Sequence, residues 1–420
     1  MHLLLQRRFL VLLALGFSAG VPLPLVAGQV LRQWFTESGL SLTDIGLTAL
    51  IGLAYSLKFL WSPALDTLAP PFLSRLGRRR GWLLLIQPFL ALAILATGFS
   101  DPSTGPLGTA ALAALVAFLS ASQDIVVDAH RIEILHEREQ GYGLACYVWG
   151  YRLALLASGA GTLLLVGPLG WGGAYACAAA LMLVGVAATI ASREAPRPAL
   201  PPAPWGARLH ASVVQPFADF MRRPLWLAIL VFVALFKLGE ALAGVMTTPF
   251  YRSLGFTRED VATVGTVFGL FATLGGALAG GYVVARLGTA RALIVTGLGQ
   301  MLSNLMYVAL AHAGQDYPML WLQVGIENFT DGLADAAFVT YLSGLTSRAF
   351  TATQYALLSS LAAVPLRTLG ASSGAMAEAL GWPGFFLMTT AAALPAMAVM
   401  LFLLWRLPPA EPAAAAEPVT

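Results

Sequence analysis

The chain has 420 residues, of which 58% are hydrophobic and only 11% are charged, and its mean hydropathy is +0.76. Soluble domains carry about 25% charged residues, so this composition excludes an ordinary soluble protein and indicates a polytopic membrane protein. The formal net charge of +3 gives no support to nucleic-acid binding. Both cysteines, Cys146 and Cys177, lie in apolar segments, so neither a disulfide framework nor a metal site is predicted.

Apolar runs of about 20 residues, the length that crosses a bilayer as a helix, follow one another along the whole chain. They predict helices, because uniformly apolar runs lack the alternation of a membrane strand. The first run follows Arg7 and Arg8 and exceeds the apolar core of a signal peptide, so we expect it to be a retained helix. The twelve predicted spans are 8–30, 43–65, 82–100, 106–128, 143–166, 172–191, 225–250, 259–285, 290–312, 318–344, 352–377 and 383–405.

A Pro-rich polar segment separates the sixth span from the seventh. It contains Pro196, Pro198 and the run Pro201-Pro202-Ala203-Pro204, and such sequence cannot bury a core. The tail after the last span is rich in Pro, Ala and Glu and is predicted to be disordered. The predicted organisation is an N-terminal six-helix bundle at 1–191, a cytoplasmic linker at 192–224, a C-terminal six-helix bundle at 225–406 and a tail at 407–420.

The distribution of arginines between the loops predicts the orientation. If the N-terminus is cytoplasmic, nearly all loop arginines fall on the inner side, and Arg32, Arg252 and Arg258 are the exceptions on the outer side. This imbalance follows the positive-inside rule, so both termini are expected in the cytoplasm.

The two halves resemble each other in sequence. In the first half, Gln140-Gly141-Tyr142-Gly143 precedes Arg152; in the second half, Thr353-Gln354-Tyr355-Ala356 precedes Arg367 at similar spacing. Two six-helix halves related by a repeat resemble the architecture of major facilitator transporters, which bind substrate near the midplane between the halves. We therefore expect an all-α integral membrane protein with the major facilitator fold and a central cavity.

Ionisable residues inside the apolar spans support a polar cavity. Placing such a side chain in hydrocarbon costs about 2.5–3.5 kcal/mol on insertion scales, so these residues are expected to face water or one another. They are Lys58, Asp124, Arg152, Lys237, Glu240, Glu327, Asp331, Asp335 and Arg367.

Six motifs in register give a more specific resemblance, to the AmpG-type muropeptide permeases. They cover the chain from about residue 8 to residue 405. The resemblance implies a proton-coupled secondary transporter that imports anhydro-muropeptides, the N-acetylglucosaminyl-anhydro-N-acetylmuramyl peptides of wall turnover, across the bacterial inner membrane for peptidoglycan recycling. The motifs are Lys58-Phe59-Leu60-Trp61-Ser62-Pro63, Gly77-Arg78-Arg79-Arg80-Gly81-Trp82-Leu83-Leu84, Ser120-Ala121-Ser122-Gln123-Asp124-Ile125-Val126, Gly150-Tyr151-Arg152-Leu153, Lys237-Leu238-Gly239 and Ala352-Thr353-Gln354-Tyr355-Ala356-Leu357-Leu358-Ser359.

An anionic glycopeptide needs cations for its carboxylates and aromatic rings for its sugars. Alternatives stay open at this point: Lys58 extends its ammonium to the cytoplasm, Arg152 pairs with Asp124 or Asp128, or Lys237 and Glu240 neutralise each other at i,i+3. The predicted substrate-binding residues are Lys58, Tyr55, Gln123, Asp124, Trp149, Arg152 and Lys237.

Three carboxylates on the tenth span are spaced i,i+4,i+8, which puts them on one stripe of a helix. Because like charges on one stripe repel, one of them is suited to gain and lose a proton in each cycle. We predict Glu327, Asp331 and Glu240 as proton-coupling residues; the alternative is that these groups pair with cations, and we expect this for Asp335.

The loop between the second and third spans is predicted to form an inner gate. Its basic run resembles the gate motif of major facilitators, although such a run is also a plain inside-positive anchor. The predicted gating residues are Asp66, Arg78, Arg79, Asp128 and Arg131.

Other function classes have less support from the sequence. It shows no nucleophile with a neighbouring base and no phosphate-binding glycine loop, so an enzyme is not predicted, and a receptor would lack an effector domain. Transport of another anionic solute, such as an acetyl-coenzyme A-like compound, a sugar or a peptide, stays an open alternative. We expect no cofactor; the expected partners are a small glycopeptide, protons and the lipid bilayer, and the protein is expected to function as a monomer.

Overall fold

The computed structural model describes residues 6–68, 70–135, 140–194, 215–345 and 351–406, and within these ranges the chain is helical and contains no strand. The all-α expectation is therefore confirmed. Most of the predicted linker 192–224 and the predicted tail 407–420 lie outside the described residues.

The first four membrane helices begin the N-terminal half. α1 (Arg7–Glu37) is interrupted after Gly20 and after Val26. α2 (Leu42–Leu60) tightens into 3₁₀ turns at Thr48–Gly52 and Lys58–Leu60, and a short helix at Ser62–Thr67 extends it. α3 (Arg78–Gly98) and α4 (Pro106–Ile134) each form one continuous helix.

α5 (140–169) and α6 (171–191) follow each other without a loop, and Gly170 separates them with a left-handed φ of 68°. A straight helix of 46 residues would be about 69 Å long, more than twice the hydrocarbon thickness of a bilayer. The chain reverses here: α5 runs beside α1 in the same direction, whereas Tyr175 and Ala191 of α6 contact Leu25 and Arg7 in the opposite order. Glycine suits the position because it adopts positive φ at little cost.

The C-terminal half repeats this plan. α7 (Trp226–Ser253) is interrupted at 236–237, and a short helix at Gln215–Met221 precedes it. The next three helices are α8 (Arg258–Leu287), α9 (Thr289–Ala313) and α10 (Tyr317–Gly344). α11 (351–380) and α12 (382–406) are separated by Gly381 with φ 66°, which matches the break between α5 and α6.

Small residues let the helices of each half approach closely. Gly16 of α1 lies against the backbone of Tyr147 on α5, and Gly276 of α8 lies against the backbone of Phe329 on α10. A Cβ at either glycine would collide with main-chain atoms, so the interfaces depend on glycine there. Close backbone packing of this kind is a main source of helix association inside a membrane.

The two halves contact each other at one end of the bundle, which we name the closed end and define by Glu37, Thr43, Arg258 and Glu378. The Glu37 carboxylate accepts two hydrogen bonds from Arg258, at 2.9 and 2.7 Å. The Glu378 carboxylate accepts hydrogen bonds from the backbone N–H and the hydroxyl of Thr43, at 3.1 and 2.7 Å. Deeper in the bundle, Gln29 of α1 donates to the Thr266 hydroxyl of α8.

Candidate transport site

Lys237 lies at the interruption of α7, where the helix ends at Leu235 and resumes at Leu238. Its ammonium contacts the carboxylates of Glu240 at 2.6 Å, Asp331 at 2.5 Å and Asp335 at 2.7 Å. An ammonium has three N–H donors, so these three carboxylates use its full donor capacity. We name these four residues the Lys237 cluster. The cluster contains Lys237, which was predicted to bind substrate, together with Glu240 and Asp331, which were predicted to couple protons.

The Lys237 cluster holds more negative than positive groups. Gln300 of α9 adds neutral donors, with its amide nitrogen 2.5 Å from Glu240 and 3.3 Å from Asp331. With every carboxylate ionised, three negative charges face one positive charge. Charges this close interact strongly outside bulk water, so proton binding by one carboxylate would relieve repulsion among them.

Glu327 lies one helical turn from Asp331 on α10, beside the Lys237 cluster. Its carboxylate accepts a hydrogen bond from the side-chain amide of Asn328 at 2.8 Å, and it has no ion pair within the described ranges. Tyr251 and Tyr307 lie near enough to interact with its charge. The hydrogen-bond partner of Glu327 is thus uncharged, whereas Asp331 contacts the Lys237 ammonium directly.

Lys58 begins a 3₁₀ turn of α2 and faces Asp124 of α4. The ammonium and carboxylate are 3.9 Å apart, at the long limit for an ion pair, and 35% of the Lys58 side chain is exposed. Next to this pair, the Trp61 indole donates to the Ser122 hydroxyl at 3.0 Å. The Lys58 ammonium therefore retains donors that can face a ligand.

The other predicted substrate-binding residues fall into different environments. Gln123 is completely buried and accepts a hydrogen bond from Ser18 of α1 at 3.4 Å, so its surroundings are the packed interior of the first half. Trp149 is 66% exposed. Tyr55, on α2, lies one turn before Lys58 and is close enough to Arg367 to interact with its charge.

Arg152 of α5 has no ion pair within 4 Å among the residues that the structure describes. It interacts electrostatically with Asp335 of the Lys237 cluster and with Tyr151. The alternative of a pair between Arg152 and Asp124 or Asp128 is not realised in this conformation, because Asp124 faces Lys58 and Asp128 pairs with Arg131.

The predicted gate residues cluster at the end opposite the closed end. Glu133 of α4 pairs with Arg79 at 2.7 Å and with Arg78 at 3.3 Å, while Asp128 and Arg131 form an i,i+3 pair at 3.5 Å. All of these residues belong to the first half. Asp66 lies on the short helix Ser62–Thr67, and its side chain is outside the described set.

Glu194 fixes the N-terminus of α3 at the same end. Its carboxylate accepts hydrogen bonds from the backbone N–H groups of Arg79 and Arg80, at 2.9 and 3.1 Å. A carboxylate in this position satisfies unpaired amide groups of the first helical turn and is favoured by the helix dipole. Glu194 is not among the residues predicted from the sequence to form the gate.

The closed end was also not predicted from the sequence. Glu37 and Arg258 are 221 positions apart, and no spacing rule pairs residues at that separation. The one available signal was that Arg258 is one of the few arginines predicted on the outer side. The Arg258 guanidinium also lies over the ring of Trp171, 5.6 Å from its centroid, which connects the pair to the turn between α5 and α6.

Comparison with known proteins identifies the family. The sequence matches the Major Facilitator Superfamily over residues 8–366. It is 43% identical over 399 residues to the anhydromuropeptide permease of Escherichia coli strain K12, which covers 94% of this chain and 79% of that protein. It is 35% identical over 393 residues to the putative transporter AmpG 4 of Rickettsia conorii, covering 93% of this chain and 94% of that relative.

Solved structures agree on the fold. A bacterial homologue of the human lysosomal transporter Spinster, in an inward-facing and unoccupied conformation, matches with a TM-score of 0.68 at 16% identity and covers 96% of this chain and 95% of that one. A D-xylose-proton symporter matches with a TM-score of 0.68 at 13% identity, covering 93% and 96%. At these identities the likeness concerns the fold alone. The predicted major facilitator fold is confirmed, the relatives are transporters rather than enzymes, and the chain belongs to the Major Facilitator Superfamily, within its AmpG-type permeases.

Proposed function

We propose that this protein imports anhydro-muropeptides across the bacterial inner membrane in symport with protons. The observation that carries the proposal is the 43% identity, over 94% of the chain, to the anhydromuropeptide permease of Escherichia coli. The residues around the Lys58 and Asp124 pair are compatible with such a solute: Lys58 offers a partly exposed ammonium for a carboxylate, and the partly buried rings of Trp61 and Tyr55 can stack on a sugar.

Proton coupling rests on the Lys237 cluster and Glu327. A symporter needs a group that is protonated on one side of the membrane and releases its proton on the other. The excess of carboxylates around Lys237 favours proton uptake there, and a change in the distance between Lys237 and Asp331 would alter that tendency. We assign Glu327, Asp331 and Glu240 to coupling.

Orientation and gating complete the proposal. The positive-inside imbalance supports cytoplasmic termini; in that orientation the closed end faces the outside, and we assign the described conformation as inward-facing. The cluster of Arg78, Arg79 and Glu133 then lies at the cytoplasmic end, where we assign it, with Asp66, Asp128 and Arg131, to the inner gate. The two six-helix halves rock about the central site, and one protomer is sufficient.

A reconstitution experiment tests this function. Proteoliposomes with an imposed inward proton gradient are expected to accumulate a radiolabelled disaccharide tripeptide with an anhydro-muramyl end, and a protonophore should abolish the accumulation. Acetyl-coenzyme A and a free tripeptide serve as alternative solutes. Accumulation of either alternative solute, with none of the disaccharide tripeptide, would show that the protein is a transporter with a different substrate. Uptake of the muropeptide that does not depend on the proton gradient would contradict proton coupling.

A further inference from the structure

Two arginines between the closed end and the Lys237 cluster lack a carboxylate partner within the described part of the chain. Arg32 of α1 donates to the carbonyls of Gly244 at 3.0 Å and Ala27 at 3.4 Å, and its Nε is buried without a partner. Arg367 of α11 also has a buried, unpartnered Nε, and its guanidinium lies against Gly52 of α2. Both residues are half-buried.

These two arginines and Arg152 belong to one region. Arg32 and Arg367 are close enough that each guanidinium acts on the charge of the other. Arg367 and Arg152 both act on Tyr151, the residue next to Arg152 on α5. The region is therefore built from α1 and α5 of the first half and α11 of the second half.

Several cations elsewhere in the described chain have carboxylate partners, whereas Arg252, whose Nε is also buried without a partner, donates to the carbonyl of Phe256 at 2.6 Å. Lys237 has three, Arg79 pairs with Glu133, and Arg258 pairs with Glu37. A buried charge without a partner is costly, and nearby positive charges add repulsion. A guanidinium presents a planar fork of N–H donors that matches a carboxylate, so an anionic ligand would satisfy these free donors and offset the repulsion.

We propose that Arg32, Arg152 and Arg367 form a binding site for a carboxylate group of the transported solute. The site deepens the proposed function and rests on it, since a muropeptide carries carboxylates on its peptide. Because its residues come from both halves beneath the closed end, a bound carboxylate contacts both halves at once. Lys237, whose three donors are occupied by the protein's own carboxylates, is left out of this site.

The test compares two forms of one probe on purified protein. The disaccharide tripeptide with free carboxylates and the same compound with its carboxylates amidated are measured for binding in detergent. The wild-type protein should prefer the free form. Arg32→Gln and Arg367→Gln should each reduce that preference roughly ten- to hundredfold, the worth of a hydrogen-bonded charge pair. The Lys variants should retain part of it, because a point charge replaces the fork incompletely.

Two further variants distinguish a local effect on the carboxylate site from a general loss of protein integrity. Gly52→Ala leaves every charge in place but puts a Cβ into the space of the Arg367 guanidinium, so it should lower the preference for the free form and leave affinity for the amidated form unchanged. Arg286→Gln removes an exposed arginine that stacks on Tyr282 and should change neither affinity.

The outcomes test the carboxylate site and the proposed transport function independently of each other. Equal binding of both probe forms by the wild type, or an undiminished preference in Arg32→Gln and Arg367→Gln, would overturn the carboxylate site even if muropeptide accumulation is observed. A preference that depends on these arginines, in a protein whose proteoliposomes accumulate no muropeptide, would support the site and contradict the transport function.

Discussion

The two intramembrane lysines occupy similar places in their helices but opposite electrostatic environments. Each lies where a helix is irregular, Lys58 at a 3₁₀ turn of α2 and Lys237 at the interruption of α7. The Lys58 side chain is 35% exposed and faces one carboxylate at 3.9 Å, whereas the Lys237 side chain is 11% exposed and contacts three carboxylates within 2.7 Å. Burial accounts for the difference, because a more deeply buried cation needs closer and more numerous partners.

This contrast suggests that the two lysines have different functions. A half-exposed cation with a distant partner can exchange that partner for a ligand at low cost. A cation enclosed by excess carboxylate cannot, but a proton arriving at the carboxylates changes how tightly the lysine is held. The Lys58 and Asp124 pair is thereby suited to binding and the Lys237 cluster to coupling, and the following experiments test that assignment.

The largest effect is expected from Lys237→Met. Losing the ammonium leaves Glu240, Asp331 and Asp335 without the cation they share, and breaking a buried ion pair costs about 3–5 kcal/mol. The melting temperature in detergent should fall sharply, and uptake should be lost. Adding Asp331→Asn and Asp335→Asn should recover most of the melting temperature, because two negative charges are removed with the positive one. A single variant as stable as the wild type would show that the cluster is not a structural unit.

The next effect concerns coupling. Glu327→Gln and Asp331→Asn each remove a carboxylate whose charge a proton can switch. The variant that lacks the coupling carboxylate should no longer accumulate muropeptide in proteoliposomes under a pH gradient. Solute exchange at equal pH should persist, since exchange needs the conformational cycle but no net proton release. Glu259→Gln, at an exposed carboxylate beside Arg258, is the matched control and should accumulate solute normally.

Unaltered accumulation in both single variants and in the double variant would remove α10 from the coupling step. The remaining intramembrane carboxylates with a cation within 4 Å, Asp124, Asp128 and Glu240, would then be the groups to test.

Much of the fold was predictable because membrane helices are encoded locally. The predicted tenth span, 318–344, agrees with α10 (Tyr317–Gly344), and the predicted gaps 166–172 and 377–383 contain the two chain reversals at Gly170 and Gly381. Helix periodicity also put Asp331 and Asp335 on one face, where both contact Lys237. These features depend only on apolar length, glycine and the 3.6-residue repeat.

The partners of these residues were not predictable, because they come from distant parts of the chain. Lys237 and Asp331 are 94 positions apart, and only the packing of α7 against α10 brings them together. Arg32 was assigned to an outer segment by the same loop rule that gave the orientation, yet it lies on a helix with its Nε buried. Composition and spacing thus identify which residues are unusual, whereas their charge balance depends on tertiary structure.

A smaller effect is expected from Lys58→Met, which sharpens the contrast with Lys237. The melting temperature should stay close to that of the wild type, since an exposed or long ion pair contributes about 0–1 kcal/mol. Uptake should nevertheless fall by roughly tenfold or more, the value of one charge-assisted contact to a solute carboxylate. Lys58→Arg should retain most uptake. If Lys58→Met lowers the melting temperature as much as Lys237→Met does, the proposal that Lys58 serves in binding and not in stability is contradicted.

The smallest effect is expected at the closed end, where the Glu37 and Arg258 pair is as short as those of Lys237 but balanced at one charge each. Arg258→Gln removes a contact between the halves worth about 1 kcal/mol, which would shift the equilibrium between conformations roughly fivefold toward opening of this end. Spin labels attached across the closed end, with Cys146 and Cys177 replaced by serine, would report the shift as a longer distance population. Combining Glu37→Arg with Arg258→Glu should restore the closed population, because the pair is re-formed in reverse. If Arg258→Gln leaves the distance distribution unchanged, the balanced pair does not set the conformation, and the closed end is held by helix packing alone.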